Sequence, residues 1–213
     1  MQWFINLSLE MRYAILFVLG LIAGGFANYL IYSWAYFPRN ISPWAPPHHD
    51  APPRRAMDRL PILGWLGLRR ESPLHGRAFW IRPLLVELAL GVALPAMYWF
   101  YTQTAALLPE VMRDPAVIAG FSPWAHSLFL VHAVLLVLMV AATFIDFDEQ
   151  TIPDVITLPG TLLALITATL PWRTWLPSTV LWGNQLGIAE TTFNVPWEFD
   201  DVWLGSRGLV TAL

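Results

Sequence analysis

The chain has 213 residues, of which 56% are hydrophobic and 13% charged, with a mean hydropathy of +0.52 and a formal net charge of −3. Soluble domains carry roughly twice that charged share, about 25%, so the composition points to a membrane protein. The lack of cysteine excludes a disulfide framework and a thiolate zinc site.

Residues 1–37 comprise an N-terminal segment and a first apolar run, Tyr13 to Phe37, long enough to span a bilayer. It is a poor cleavable signal, because its leading segment carries both an Arg and a Glu and the apolar stretch continues well past Gly24-Gly25. Residues 38–82 form an Arg/Pro-rich loop. Prolines 43, 46, 47, 52 and 53 argue against helix in its first half. Leu60 to Leu68 is apolar but too short to span, so it is expected to lie in the interface. Residues 83–172 hold three more apolar runs: Pro83 to Leu108, Trp124 to Ile145, and Ile156 to Trp172. The last has about 17 residues, a marginal length, and contains Pro159-Gly160, which predicts a kink. Residues 173–213 are mixed, with Glu198, Asp200 and Asp201, and become apolar again from Val202 to Leu213, like the approach to a further span. The expected architecture is an all-α polytopic membrane protein of about four transmembrane helices plus the start of a fifth.

Every cation is arginine, and eight of the twelve fall in the 38–82 loop. The positive-inside rule places that loop in the cytoplasm. The N-terminus and 109–123 are then outside, 146–155 returns to the cytoplasm, and 173 onward is outside. The arginines read first as topology determinants with affinity for anionic lipid head groups. Nucleic-acid binding has no support beyond their charge.

The third run ends in Phe144-Ile145-Asp146-Phe147-Asp148-Glu149-Gln150-Thr151-Ile152-Pro153-Asp154. Carboxylates at the mouth of a span are costly to place. The plain reading is a solvated helix end. The sharper one is an aspartyl protease carboxylate, which needs two Asp side chains sharing a proton. Asp146 and Asp148 point about 200° apart on a helix and cannot make a close pair, so a partner must come from another span.

Four segments resemble the type IV prepilin peptidases, intramembrane aspartyl proteases of the bacterial inner membrane. Gly24-Gly25-Phe26-Ala27-Asn28-Tyr29-Leu30-Ile31 is similar to the family's Gly-Ser-Phe-Leu-Asn-Val-Val-Ile. Leu60-Pro61-Ile62-Leu63-Gly64-Trp65-Leu66 is similar to Ile-Pro-Leu-Leu-Ser-Trp-Leu. Arg82-Pro83-Leu84-Leu85-Val86-Glu87-Leu88 resembles Arg-Tyr-Pro-Leu-Val-Glu-Leu, with Pro-Leu where the family has Tyr-Pro. Ile145-Asp146 through Pro153-Asp154 resembles the first catalytic motif. The resemblance implies that Asp146 is the first catalytic aspartate and that Pro153, Asp154, Glu87 and Arg82 support the motifs. For Glu87 it leaves helix packing or substrate handling open. It also implies cleavage of the basic leader of prepilin or pseudopilin substrates at the cytoplasmic face, for pilus or secretion systems. Membrane lipids are the other expected partner. The implied location is the inner membrane, multi-pass, with a periplasmic N-terminus.

The sequence departs from the family in two places. The second catalytic aspartate belongs to a Gly-x-Gly-Asp tetrad that these residues do not contain. Asp200 and Asp201 lack the glycines, and topology puts them on the other side of the bilayer, about 30 Å away. The expectation is therefore a truncated form, inactive alone, with a non-catalytic scaffold or pseudoenzyme of a pilus or secretion assembly as the alternative. Many family members also carry two Cys-x-x-Cys pairs in the loop. The corresponding positions here fall near His48, His49, Asp50 and His75, a set that reads as solvated or as a metal cluster of imidazole and carboxylate. Proteolysis needs no cofactor, zinc is not expected, and S-adenosylmethionine is implied only if the family's methyltransferase activity is retained.

Overall fold

The computed structural model describes residues 2–104, 115–169, 178–182 and 185–189, and the side chains of 3–104 and 125–166. Helix α1 (Gln2–Ile5) is a single turn. Ser8 then starts α2 (Leu9–Ser33): its Oγ accepts the Met11 N–H at 3.3 Å, and Glu10 stands in the first turn, where the helix end favours an anion. The loop that follows is folded into two short 3₁₀ turns, Ala56–Arg59 and Arg69–Glu71, with α3 (Leu63–Leu68) and α4 (Ser72–His75). Long helices α5 (Ile81–Thr102) and α6 (Pro115–Glu149) come next, then α7 (Asp154–Thr169).

Helices α2, α5 and the Ala125–Glu149 part of α6 are long and apolar enough to cross a membrane. Their outward positions are apolar too: Val18, Ile22, Val92 and Leu130 are all exposed, the pattern of helices solvated by lipid. The expected fourth span is not of this kind. As described, α7 has 16 residues, about 24 Å of helix, which is short of a bilayer core of about 30 Å. It continues through Pro159 and Gly160. The long elements are all helical, as expected, and two short strands follow them. Strands β1 (Ser178–Trp182) and β2 (Gln185–Ala189) pair antiparallel, from Ser178 opposite Ala189 to Trp182 opposite Gln185. The two intervening residues are Gly183-Asn184, a pair suited to a two-residue hairpin turn. Asp200, Asp201 and the apolar 202–213 stretch lie outside the described residues.

The chain divides into two units. The first comprises residues 1–97 and 134–159, the second residues 98–133 and 160–213. In the first, Leu30, Ile31 and Tyr32 of α2 bury against Ile41, Trp65 and Leu68 of the loop, Ala141 and Ile145 of α6, and Ile156 of α7. A second cluster joins Ala27, Val86, Leu90 and Val137. Helices α2 and α5 meet at glycines one turn apart. A Cβ on Gly24 would stand 2.5 Å from the Glu87 Cα, and one on Gly20 would strike the Leu90 carbonyl. Small residues at this spacing let two membrane helices approach backbone to backbone. In the second unit, Tyr98 Oη pairs with His126 Nε2 at 3.0 Å and Tyr101 Oη with His132 Nδ1 at 2.5 Å, so polar groups inside the apolar helices satisfy one another.

The Pro-rich loop is organised by buried charge. Arg54 reaches Glu71 at 3.3 Å and donates to the carbonyls of Ala45 and Asn40 at 2.8 Å each, and to that of Ser42. Glu71 is fully buried. Asp58 pairs with Arg70 and accepts the Arg55 N–H at 2.5 Å. Half of the eight loop arginines (Arg39, Arg54, Arg70 and Arg82) thus hold carboxylates of the fold, a role that the reading as topology and lipid determinants did not include. The Leu60–Leu68 stretch likewise does more than rest at an interface, since Trp65 and Leu68 enter the core.

The hydrogen bonds from Arg70 hold the Asp58 carboxyl below its ordinary value near 3.8. A depressed folded-state pKa contributes stability that is present above the ordinary value and is lost as pH falls through the folded one. Asp58→Asn should therefore lower the melting temperature of the purified protein at neutral pH, and the difference from the parent should close as the buffer is taken below the ordinary carboxylate value and through the folded-state one. A difference constant over that range would contradict the assignment.

Candidate active site

The last turn of α6 carries three carboxylates with three different surroundings. Ile145 is buried in the core. Asp146, next to it, is exposed, and its side chain makes no hydrogen bond or ion pair among the described residues. Asp148 is turned inward, its side chain 15% exposed, where Arg82 Nη1 donates to both of its oxygens at 2.8 and 2.9 Å. Arg39 approaches the same carboxylate at 3.5 Å. Glu149 accepts the backbone N–H groups of Tyr36 and Phe37 at 2.9 and 3.0 Å. The divergence of Asp146 and Asp148 follows the helical spacing. Leu135, Met139, Thr143 and Asp146 recur at helical spacing and are all exposed, so Asp146 ends an uncovered stripe of α6.

The chain turns sharply after Glu149. Gln150 takes a left-handed conformation (φ 55°), and its N–H reaches the Asp146 carbonyl at 2.7 Å. Pro153 is buried, and its carbonyl accepts the Ile156 and Thr157 N–H groups at 2.9 and 3.3 Å, which starts α7. Asp154 is exposed in the first turn of α7, where a carboxylate meets the positive helix end. Pro153 and Asp154 thus open α7, just after the turn that closes α6.

The other residues singled out in the sequence are placed elsewhere. Arg82 holds Asp148, donates to the Phe144 carbonyl at 3.2 Å and lies over the Phe144 ring at 4.6 Å. Glu87 is buried on α5, where its two oxygens accept the Ile62 N–H at 2.5 Å and the Trp65 indole N–H at 2.7 Å. It borders a cavity of about 490 Å³ lined also by Phe26, Trp44, Arg59 and Pro61. A second groove, about 570 Å³, runs between α5 and α6 past Arg82, Ala89 and Phe144. Asp146 lines neither.

His48, His49 and Asp50 bring one ligand atom each within 4.8 Å of one another. The three are consecutive, His49 and Asp50 are exposed, and His49 Nε2 already pairs with Asp50 at 2.8 Å. His75 instead faces Glu71 at 3.5 Å, although its ring lies 6.5 Å from that of His48. His75 thus stands apart from the three-residue cluster, with its side chain directed to Glu71. Sequence reasoning missed Asp148 and Glu149 as structural ties. Their partners lie 66 and 112–113 residues away, and no local pattern announces such pairs.

A helical membrane protein with a free carboxylate at the end of one long apolar helix is the class that fold and site define. Residues 133–192, which include this helix end and the start of α7, match the type IV leader peptidase family. The chain is similar to named leader peptidases over a longer stretch. It is 29% identical over 155 residues to a prepilin leader peptidase/N-methyltransferase of Stutzerimonas stutzeri, covering 73% of this chain and 45% of that protein. It is 30% identical over 145 residues to one of Dichelobacter nodosus, covering 68% and 42%. The chain thus spans less than half the length of the curated relatives it matches. No solved structure matches it.

Proposed function

We propose that this chain is part of an intramembrane aspartyl endopeptidase that removes the basic leader of prepilin-like proteins at the cytoplasmic face of the inner membrane. The observation that carries the reading is the state of Asp146: an exposed carboxylate without partners among the described residues, beside two others that are committed to the fold. One carboxylate of the dyad takes a proton from water as the oxygen attacks the scissile carbonyl carbon. The other donates its proton to the carbonyl oxygen. The tetrahedral adduct then collapses, the C–N bond breaks, and the amine leaves with a proton. Asp148 and Glu149 are committed to the fold, so on this reading another helix supplies the second carboxylate. The exposed α6 stripe that Asp146 ends is the face on which the helix carrying it would pack. The reading is restricted to proteolysis, with prepilin or pseudopilin substrates, and no methyl-transfer step is assigned.

The test is cleavage of a prepilin reporter in membranes containing the natural full-length protein. The expected product begins just after the glycine that ends the leader, and serine- or cysteine-directed reagents do not block its formation. Intact reporter, with the protein present and folded, would remove the peptidase reading and leave the non-catalytic scaffold.

A further inference from the structure

The end of α6 is held from two sides by groups that take no part in the proposed chemistry. Arg82, in the first turn of α5, grips the Asp148 carboxylate with two short contacts and reaches the Phe144 carbonyl with its other nitrogen. Glu149 receives two consecutive backbone N–H groups, those of Tyr36 and Phe37, just beyond α2. Helix ends ordinarily fray, and this one is followed at once by the left-handed Gln150. Two-point contacts fix direction as well as distance. Asp146 lies between Phe144 and Asp148 and has no tie of its own among the described residues, so its position there is inherited from theirs.

We propose that Arg82, Asp148 and Glu149 form an anchor that sets the place and facing of Asp146, and act as positioning residues for it. The catalytic consequence rests on the peptidase reading, whereas the anchor itself does not. A displacement of about 1 Å at a reacting group costs on the order of 10²-fold in rate. Loosening the anchor should therefore reduce turnover and leave substrate binding nearly untouched.

The 213 residues contain no cysteine, so with any cysteine outside them replaced by serine one introduced thiol reports on one place. In the full-length protein, Asp146→Cys is labelled with a water-soluble thiol reagent, alone and combined with Asp148→Ala or Glu149→Ala. Met57→Cys, exposed in the loop of the same unit, is the control. The labelling rate at 146 should change at least about threefold in the anchor variants and stay constant at 57. Arg82→Lys, which keeps the cation but loses the fork, should give a smaller change than Arg82→Gln. In the protein with Asp146 intact, the same variants should lower kcat by about 10- to 100-fold and shift KM by less than about twofold. Unchanged labelling at 146 overturns the anchor, as does an equal change at 146 and 57, because the ties would then hold the whole unit rather than this turn. Selective labelling changes with undiminished cleavage overturn the positioning role. If the parent cleaves nothing but labelling still responds selectively, the anchor stands and the peptidase reading falls.

Discussion

Asp146→Asn should reduce prepilin cleavage by a factor of about 10² to 10⁴ while leaving the fold as it was. The size follows from the loss of one of two proton-transferring groups. The lack of a stability effect follows from the surroundings: the side chain is exposed and bonded to nothing described, and surface changes of this kind stay within about 0.5 kcal/mol. Asp148→Asn is the informative contrast. It removes the charge from a partly buried Arg82 pair, so it should lower the melting temperature as well as activity. Reporter cleavage and thermal unfolding, measured on both variants, separate the two roles. Full activity in Asp146→Asn would end the assignment of that residue. A melting temperature that fell as far in Asp146→Asn as in Asp148→Asn would show the two carboxylates to be structurally alike.

Glu87→Ala should be the most destabilising change in the α2, α5 and loop packing, by about 2 to 5 kcal/mol. Two donors, the partly buried Ile62 N–H and the buried Trp65 indole, lose their acceptor, at about 1 to 3 kcal/mol each when fully buried. A cavity opens under Trp65, which is itself almost fully buried. One effect runs the other way. Ile62 is a β-branched residue at φ 63°, a conformation that costs about 1 to 3 kcal/mol and persists only where the surroundings hold it. The Glu87 carboxylate is what grips that residue, so part of the loss should be returned as the turn relaxes. Glu87→Gln, which retains one carbonyl oxygen for the two donors, should cost less than alanine. Thermal unfolding in detergent would show the order, and an alanine variant as stable as the parent would mean that the two hydrogen bonds contribute nothing net.

The long helices were legible because a bilayer imposes a length. Runs at Tyr13–Phe37, Pro83–Leu108 and Trp124–Ile145 correspond to α2, α5 and α6, displaced at the ends by several residues where caps and turns decide. The divergence of Asp146 and Asp148 was legible from helical spacing alone. The loop was not. Its prolines argued correctly against long helix, but Arg54 and Glu71 meet 17 residues apart, and sequence gives no measure of which arginine finds which acid. The same blindness hid the Glu149 contacts, because their other halves are backbone amides, which every residue except proline carries. The hairpin at 178–189 was overlooked for a different reason. Ser178-Thr179-Val180-Leu181-Trp182 does not alternate polar and apolar residues, so no strand period marks it, and only the Gly183-Asn184 pair is a turn signal.

Gln150 gives the link from α6 to α7 a mechanical character. A side chain with a Cβ narrows the backbone angles open to that position, and the left-handed setting is one that it tolerates at a cost of roughly 1 to 2 kcal/mol. Glycine would relieve that cost, but it would also open a wide range of alternative angles at the joint. The chain thus accepts a slightly strained elbow that is stiff over a relaxed one that can swing, one residue past the turn that carries Asp146. Selection for stability alone would favour glycine at position 150. Selection for a carboxylate held in register would favour the residue found there.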